Sequence, residues 1–204
     1  MSDTDFNSLA TKLYTILSKN SSKLQLTIFF QHLKSLVDAA VIHKGSGPEL
    51  FKLIIKDWFS TGKDKAIILN PSYKDNSILI INTFPSVYQM APPETEEYLV
   101  KLIQSNQSSP NPEVLSFILS SIHYISVKTS SILSQPVLSL SYYISSLVQA
   151  EELKNDEMQL VVPLLPLFWK NVNESRGDII VISTRLIKSQ DITVLGGLAS
   201  FFSD

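Results

Sequence analysis

Apolar residues recur along most of the chain at the three- and four-residue spacing of one helix face. Phe6, Leu9, Leu13 and Ile16 share such a face behind Asp3 or Thr4, either of which suits a helix cap. "NSSK" (20–23) interrupts it, and Leu26, Phe29, Leu33, Leu36, Val37 and Ala40 predict a second helix running to about Val41. "HKGSGPE" (43–49) combines glycines that stop one helix with Pro48, which suits the first turn of the next. That third helix carries Leu50, Phe51, Ile54, Ile55 and Trp58 and stops near Gly62. Residues 65–90, broken by Pro71 and Pro85, give the weakest pattern. "APPETEEYLVKLI" (91–103) is a clear helix start, with prolines in the first turn and acids at the positive end of the helix dipole. "SSPNPEVLSFILSSIHYI" (108–125) repeats it, with Val114, Ile118, Ile122 and Ile125 in register. Further starts fall at Ser134 with Pro136, at Asn155 and Asp156, at Asn173 or Ser175, and at Ser189 or Asp191.

Three stretches admit a second reading. In "ILSQPVLSLSYYISSL" (132–147), Leu138 to Tyr142 alternate like a half-buried strand, while Val137, Leu140, Ile144 and Leu147 form a helical stripe. The alternation ends at Tyr142-Tyr143-Ile144 and the stripe does not, so helix is predicted; its serines are either a solvent face, the commoner case, or small residues that allow close helix contact. "SILIINTF" (77–84) and "DIIVIS" (178–183) are rich in β-branched residues, as buried strands are. Two isolated short strands make a poor sheet, and the predicted class stays all-α. Pro163 and Pro166 each remove a helical hydrogen bond, at about 3 kcal/mol in a helix interior. They predict a break between two short helices, rather than a kink in a single one.

Composition narrows the function. A chain of 204 residues with 44% hydrophobic residues can bury a core without staples, and one α-helical domain over 1–204 is expected. Net charge is −2, so no global basic excess draws the chain to nucleic acid. Residues 1–90 carry ten lysines against seven acids and residues 91–204 seven basic residues against twelve acids, a mild polarity from +3 to −5. Cysteine is absent, which excludes disulfides, thiol catalysis and thiolate metal sites. The acidic start "MSDTDFNSLA" does not read as a signal or transit peptide, and "LVVPLLPLFW" (160–169) falls short of the roughly 20 apolar residues of a membrane span. A cytoplasmic or nuclear protein without direct membrane insertion is the expectation, with cytoplasmic preferred.

Candidate chemistry is sparse. His32, His43 and His123 lie far apart in the sequence, without metal-ligand spacing. "KGSG" (44–47) lacks the phosphate-loop spacing, and no HExxH, calcium loop or GxSxG occurs. Glu151-Glu152 and Asp156-Glu157 read as helix-start acids rather than an acid/base pair. "RGD" (176–178) reads as a helix start, and "KDKAIILNPSYKD" (63–75) nearly cancels its own lysines. No catalytic residue, cofactor or metal is predicted.

The starts recur mostly every 17 to 26 residues, and Pro48, Pro92 and Pro136 stand 44 apart. This spacing resembles that of HEAT/armadillo-type α-solenoids, whose helix pairs stack into a superhelix. HEAT-like repeats also place an Asp and a Lys or Arg at set points, and "PVLSLSYYISSLVQAEEL" (136–153) lacks that ladder, so the resemblance is architectural. It implies an array of antiparallel helix pairs and a non-catalytic scaffold or adaptor subunit binding other proteins, similar to the large subunits of vesicle-traffic adaptors in intracellular protein transport. A compact helical-bundle accessory subunit and an enzyme with an unrecognised helical site are the alternatives. The last segment, "DITVLGGLASFFSD" (191–204), is apolar around much of its circumference. Leu195, Leu198, Phe201 and Phe202 are therefore the candidate partner-binding residues, either for a docking subunit or for the next unit of a longer array. Folding back of Phe201 and Phe202 near Leu186 is the competing expectation.

Overall fold

The computed structural model describes residues 3–19, 26–42, 47–55, 77–171 and 176–203. Of these, 89% are helical and none is in a strand. The contacts divide the chain into two compact units, Met1–Glu96 and Glu97–Asp204.

The first unit holds α1 (Asp3–Lys19), α2 (Leu26–Ile42), α3 (Gly47–Ile54), α4 (Ser77–Met90) and the first turn of α5 (Pro92–Ser108). α2 follows most of its predicted stripe, with Leu36 half-buried. Phe29, Leu33, Val37 and Ala40 are buried, and Phe30 joins them with its ring edge-on to Phe29 at 5.2 Å. α1 does not follow its stripe. Phe6 is buried, but Leu9, Leu13 and Ile16 are exposed, and Ala10 and Tyr14 take the inner face. The Tyr14 hydroxyl donates to the Leu53 carbonyl at 3.3 Å, so an aromatic with a polar tip, not an aliphatic ridge, sets the rotation of α1 against α3. In α3, Leu50, Phe51 and Ile54 are buried as predicted, while Trp58 and the predicted end at Gly62 lie outside the described residues.

The strand-like segment 77–84 is the first half of α4. α4 runs along α2, burying Thr83, Phe84 and Val87 there, and this packing overrides the weak β preference of the isoleucines. Pro85 sits inside α4 instead of ending it, although it withholds one ladder donor. Beside it, Asp38 of α2 accepts from the Ser86 hydroxyl and from Lys34 Nζ, the latter at 2.6 Å. The helix start expected at 65–72 lies outside the described residues.

The second unit holds the rest of α5, then α6 (Pro112–Thr129), α7 (Ser134–Gln149), α8 (Asn155–Val161), a 3-10 turn (Val162–Leu164), α9 (Leu165–Asn171), α10 (Arg176–Ile187) and α11 (Ile192–Ser203). α6 begins as its prolines predict: Asn111 caps it, accepting from Glu113 N and Val114 N, with Pro112 in the first turn. Val114, Ile118, Ile122 and Ile125 are all buried. The ambiguous stretch is helix α7, with Val137, Leu140, Ile144 and Leu147 inside and Tyr142 exposed. Its serines depart from the commoner expectation. Ser141 and Ser145 are buried one turn apart on α7, the helix that α9 and α10 pack against, and Ser141 satisfies its hydroxyl by donating to Leu138 O at 2.9 Å. Their burial fits the second of the two sequence readings, small residues at a helix contact.

Ser134 is the first residue of α7 and not its cap. The cap position is Leu133, in left-handed backbone at φ 50° and ψ 49°. That conformation costs a non-glycine residue about 1–2 kcal/mol. The Leu133 side chain is only 2% exposed, and burying a leucine contributes about 1.5–3 kcal/mol, enough to hold it there. Pro163 and Pro166 mark the predicted break, with the 3-10 turn between α8 and α9. "DIIVIS" is the body of α10, burying Ile179, Ile182 and Leu186.

Candidate interaction surface

α11 is fixed at its start. The Asp191 carboxylate accepts from Thr193 N at 2.8 Å and Val194 N at 3.2 Å, and its second oxygen accepts from Gln159 Nε2 of α8 at 2.7 Å. Val194 and Leu198 then point inward, and α11 lies against α8, the 3-10 turn and α10. Gly197 allows the approach, because a Cβ there would stand 2.3 Å from Val162 Cγ1.

The four predicted docking residues separate. Leu198 is 3% exposed and belongs to the core. Phe201 is half-buried, its ring edge-on to Trp169 of α9 at 6.5 Å. Leu195 at 38% and Phe202 at 65% remain on the surface, joined by Ile192 at 86% and Trp169. Periodicity brought out the helix but not its orientation. Trp169 went unnoticed because its stretch reads as a plain apolar run, and nothing local to it points to Phe201. α11 carries no ionisable side chain from Ile192 to Ser203. The hydroxyls of Ser200 and Ser203 donate to Gly196 O and Ala199 O, so the outer face offers few free polar groups.

The Asp191 carboxyl is held below its ordinary pKa, first by the Gln159 amide and then by the Val194 N–H. Its folded pKa is therefore the lower one, so its stabilising effect is complete above the ordinary carboxylate range and is lost as pH falls through the folded value. Melting temperature against pH should show this loss on the acid side. Asp191→Asn retains a capping acceptor and should flatten that part of the profile. An unchanged acid limb in Asp191→Asn would assign the loss to other carboxylates.

Two clefts also lie in the second unit. A cleft of about 500 Å³ is lined by Asn106, Asn111, Tyr143, Glu152, Lys154 and Glu157, among others. Its polar groups satisfy one another. Asn106 Nδ2 donates to the Tyr143 hydroxyl at 3.0 Å, that hydroxyl lies 3.2 Å from Asn106 O, and Asn106 Oδ1 accepts from Asn111 N at 2.9 Å. Glu157, buried, accepts from Lys154 N at 2.9 Å and so closes the start of α8, the role expected of a helix-start acid. Burial raises the Tyr143 pKa, the nearby charge of Glu157 adds to this, and the Asn106 hydrogen bond opposes it. The phenol stays neutral and acts as a clasp. Asn106→Ala would leave the Asn111 N–H and one side of the phenol unpaired, and a loss of about 1–3 kcal/mol is expected in urea unfolding. A loss within experimental error would mean water replaces the amide.

A second cleft, about 510 Å³, has Val148, Ile180 and Val181 among its lining residues, with Arg185 and Lys188 also at its wall. Glu151 and Thr184 also line it, and the Thr184 hydroxyl donates to the Ile180 carbonyl at 2.8 Å. His32 is exposed, and burial lowers the pKa of half-buried His123, while His43 lies outside the described residues. Arg176–Asp178 form the first turn of α10. Among the described residues no group of three or more metal-ligating side chains converges, and no helix is long and apolar enough to cross a membrane. No protein family, no curated protein and no solved structure matches the chain.

Proposed function

We propose that the chain is a non-catalytic helical scaffold, built from stacked helix pairs, that binds protein through the outer face of α11. The observation that carries this reading is the exposed apolar strip of Ile192, Leu195 and Phe202 on a helix anchored at both its cap and its inner face. Isolated apolar side chains are ordinary on a surface, whereas a contiguous uncharged strip on a secured element suits an interface. Contacts between alternate helices support the stacked-pair reading within each unit: α1 with α3 and α2 with α4 in the first, α6 with α8 and α7 with α9 in the second. An adaptor role in intracellular protein transport, in the cytoplasm, rests on the architectural resemblance alone.

The test compares the chain with a Leu195→Asp, Phe202→Asp double variant and with Val127→Asp, an exposed apolar position on α6. A protein retained by the first and third but not the second should rebind in purified form, with the same selectivity, by calorimetry. If the double variant keeps its melting temperature and binds every purified partner as the parent does, the α11 reading fails.

A further inference from the structure

The outer face of α11 is complementary to itself, and we propose that it pairs antiparallel with α11 of a second copy of this chain, about a twofold axis that crosses the outer face midway between Leu195 and Ala199. This rests on the reading of α11 as a docking surface and names what occupies it. Ile192, Leu195, Ala199 and Phe202, all exposed, follow the three-four-three spacing of a helix–helix seam. In the antiparallel arrangement Ile192 lies opposite Phe202 of the second copy, and Leu195 opposite its Ala199. Each large side chain at the centre then meets a small one. A parallel arrangement would set Ala199 on Ala199 and leave a void, with Phe202 crowded on Phe202 beyond it.

Charge permits the same occupant. In a twofold interface each patch meets its own copy, so an ionisable group near the axis faces its like. α11 has none between Ile192 and Ser203. The Ser200 and Ser203 hydroxyls already donate to Gly196 O at 3.2 Å and Ala199 O at 2.9 Å, so covering them strands no donor. The space over Gly196 is open, since a Cβ there would meet nothing within 4 Å. Antiparallel helix dipoles add a small attraction. The seam is short: a helix of 12 residues is about 18 Å long, too little to reach the roughly 800 Å² per partner of a standard stable interface. The pairing is therefore weak and depends on concentration.

Sedimentation equilibrium from about 5 to about 500 µM should show a reversible monomer–dimer equilibrium, shifted to monomer in the Leu195→Asp, Phe202→Asp double variant at unchanged melting temperature. A parent monomeric throughout, or a double variant that dimerises equally, overturns the proposal. The absence of native cysteine makes orientation directly readable. A mixture of Leu195→Cys and Ala199→Cys chains should oxidise mainly to the mixed disulfide, and products dominated by like-with-like disulfides overturn the antiparallel pairing. A parent that stays monomeric, yet binds a different purified protein that the double variant loses, removes self-pairing and leaves the docking reading standing. Loss of neither removes both.

Discussion

Ile118→Asp should unfold the second unit under conditions where the parent chain is fully native. Ile118 has no exposed surface and stands mid-helix between Val114 and Ile122 on the inner face of α6. Aspartate there forfeits the burial of an isoleucine, about 1.5–3 kcal/mol, and adds the desolvation of an unpaired carboxylate, several kcal/mol more. The sum rivals the total stability of a typical domain, about 5–15 kcal/mol. Circular dichroism should show helix loss near room temperature, and Ile118→Val, expected to cost about 0.5–1.5 kcal/mol, gives the graded control. If Ile118→Asp melts within a degree of the parent, the inner face of α6 has been misassigned.

Adjacent glycines in α11 should respond with opposite sign. At Gly196 a Cβ meets nothing, so Gly196→Ala should stabilise by about 1 kcal/mol through helix propensity. At Gly197 the same atom would stand 2.3 Å from Val162 Cγ1. Val162 is β-branched and stiff, and it lies in the 3-10 turn between Val161 and Pro163, so it has little room to yield. Overpacking of about 1–3 kcal/mol should outweigh the propensity gain, and Gly197→Val should lift α11 away from the turn altogether. Thermal melts of the two alanine variants decide the sign. Val162→Ala should rescue Gly197→Ala if the clash is the cause, and a Gly197→Ala chain as stable as Gly196→Ala would show that α11 does not seat so closely.

Helices were legible wherever a single aliphatic stripe faced a single core. α2 and α6 are of this kind, and the start of α6 could be read from its prolines. Legibility failed where the decisive contact was polar or small. α1 turned on Tyr14, whose hydroxyl reaches a carbonyl 39 residues away, and no local count of apolar residues anticipates that bond. For Ser141 and Ser145 the sequence left solvent face and helix contact both open, and only the packing around α7 decides for burial. The isoleucines of α4 and α10 spoke for strands until tertiary packing decided otherwise.

The candidate surface was legible to the level of the segment. That 191–204 is too apolar for an ordinary surface helix follows from composition. Which side chains remain outside depends on the seating of Gly197 against Val162, a contact between residues far apart in the chain. Leu198 and Leu195 are chemically identical and stand three residues apart, yet one is core and the other surface.

Leu133 constrains how this chain can change over evolutionary time. Its backbone favours glycine, and its place in the core demands a large apolar side chain. Glycine would relieve the first and empty the second, while valine or isoleucine would fill the core with the side-chain branching least compatible with left-handed backbone. Few substitutions satisfy both, so random drift is nearly closed at this position while the exposed flank of α6 around Val127 is free to vary. In a diverged descendant, a large apolar residue without a branch at Cβ, directly before a serine-led helix start, would be a more durable mark of kinship than any helical stripe, whose positions accept one aliphatic residue for another.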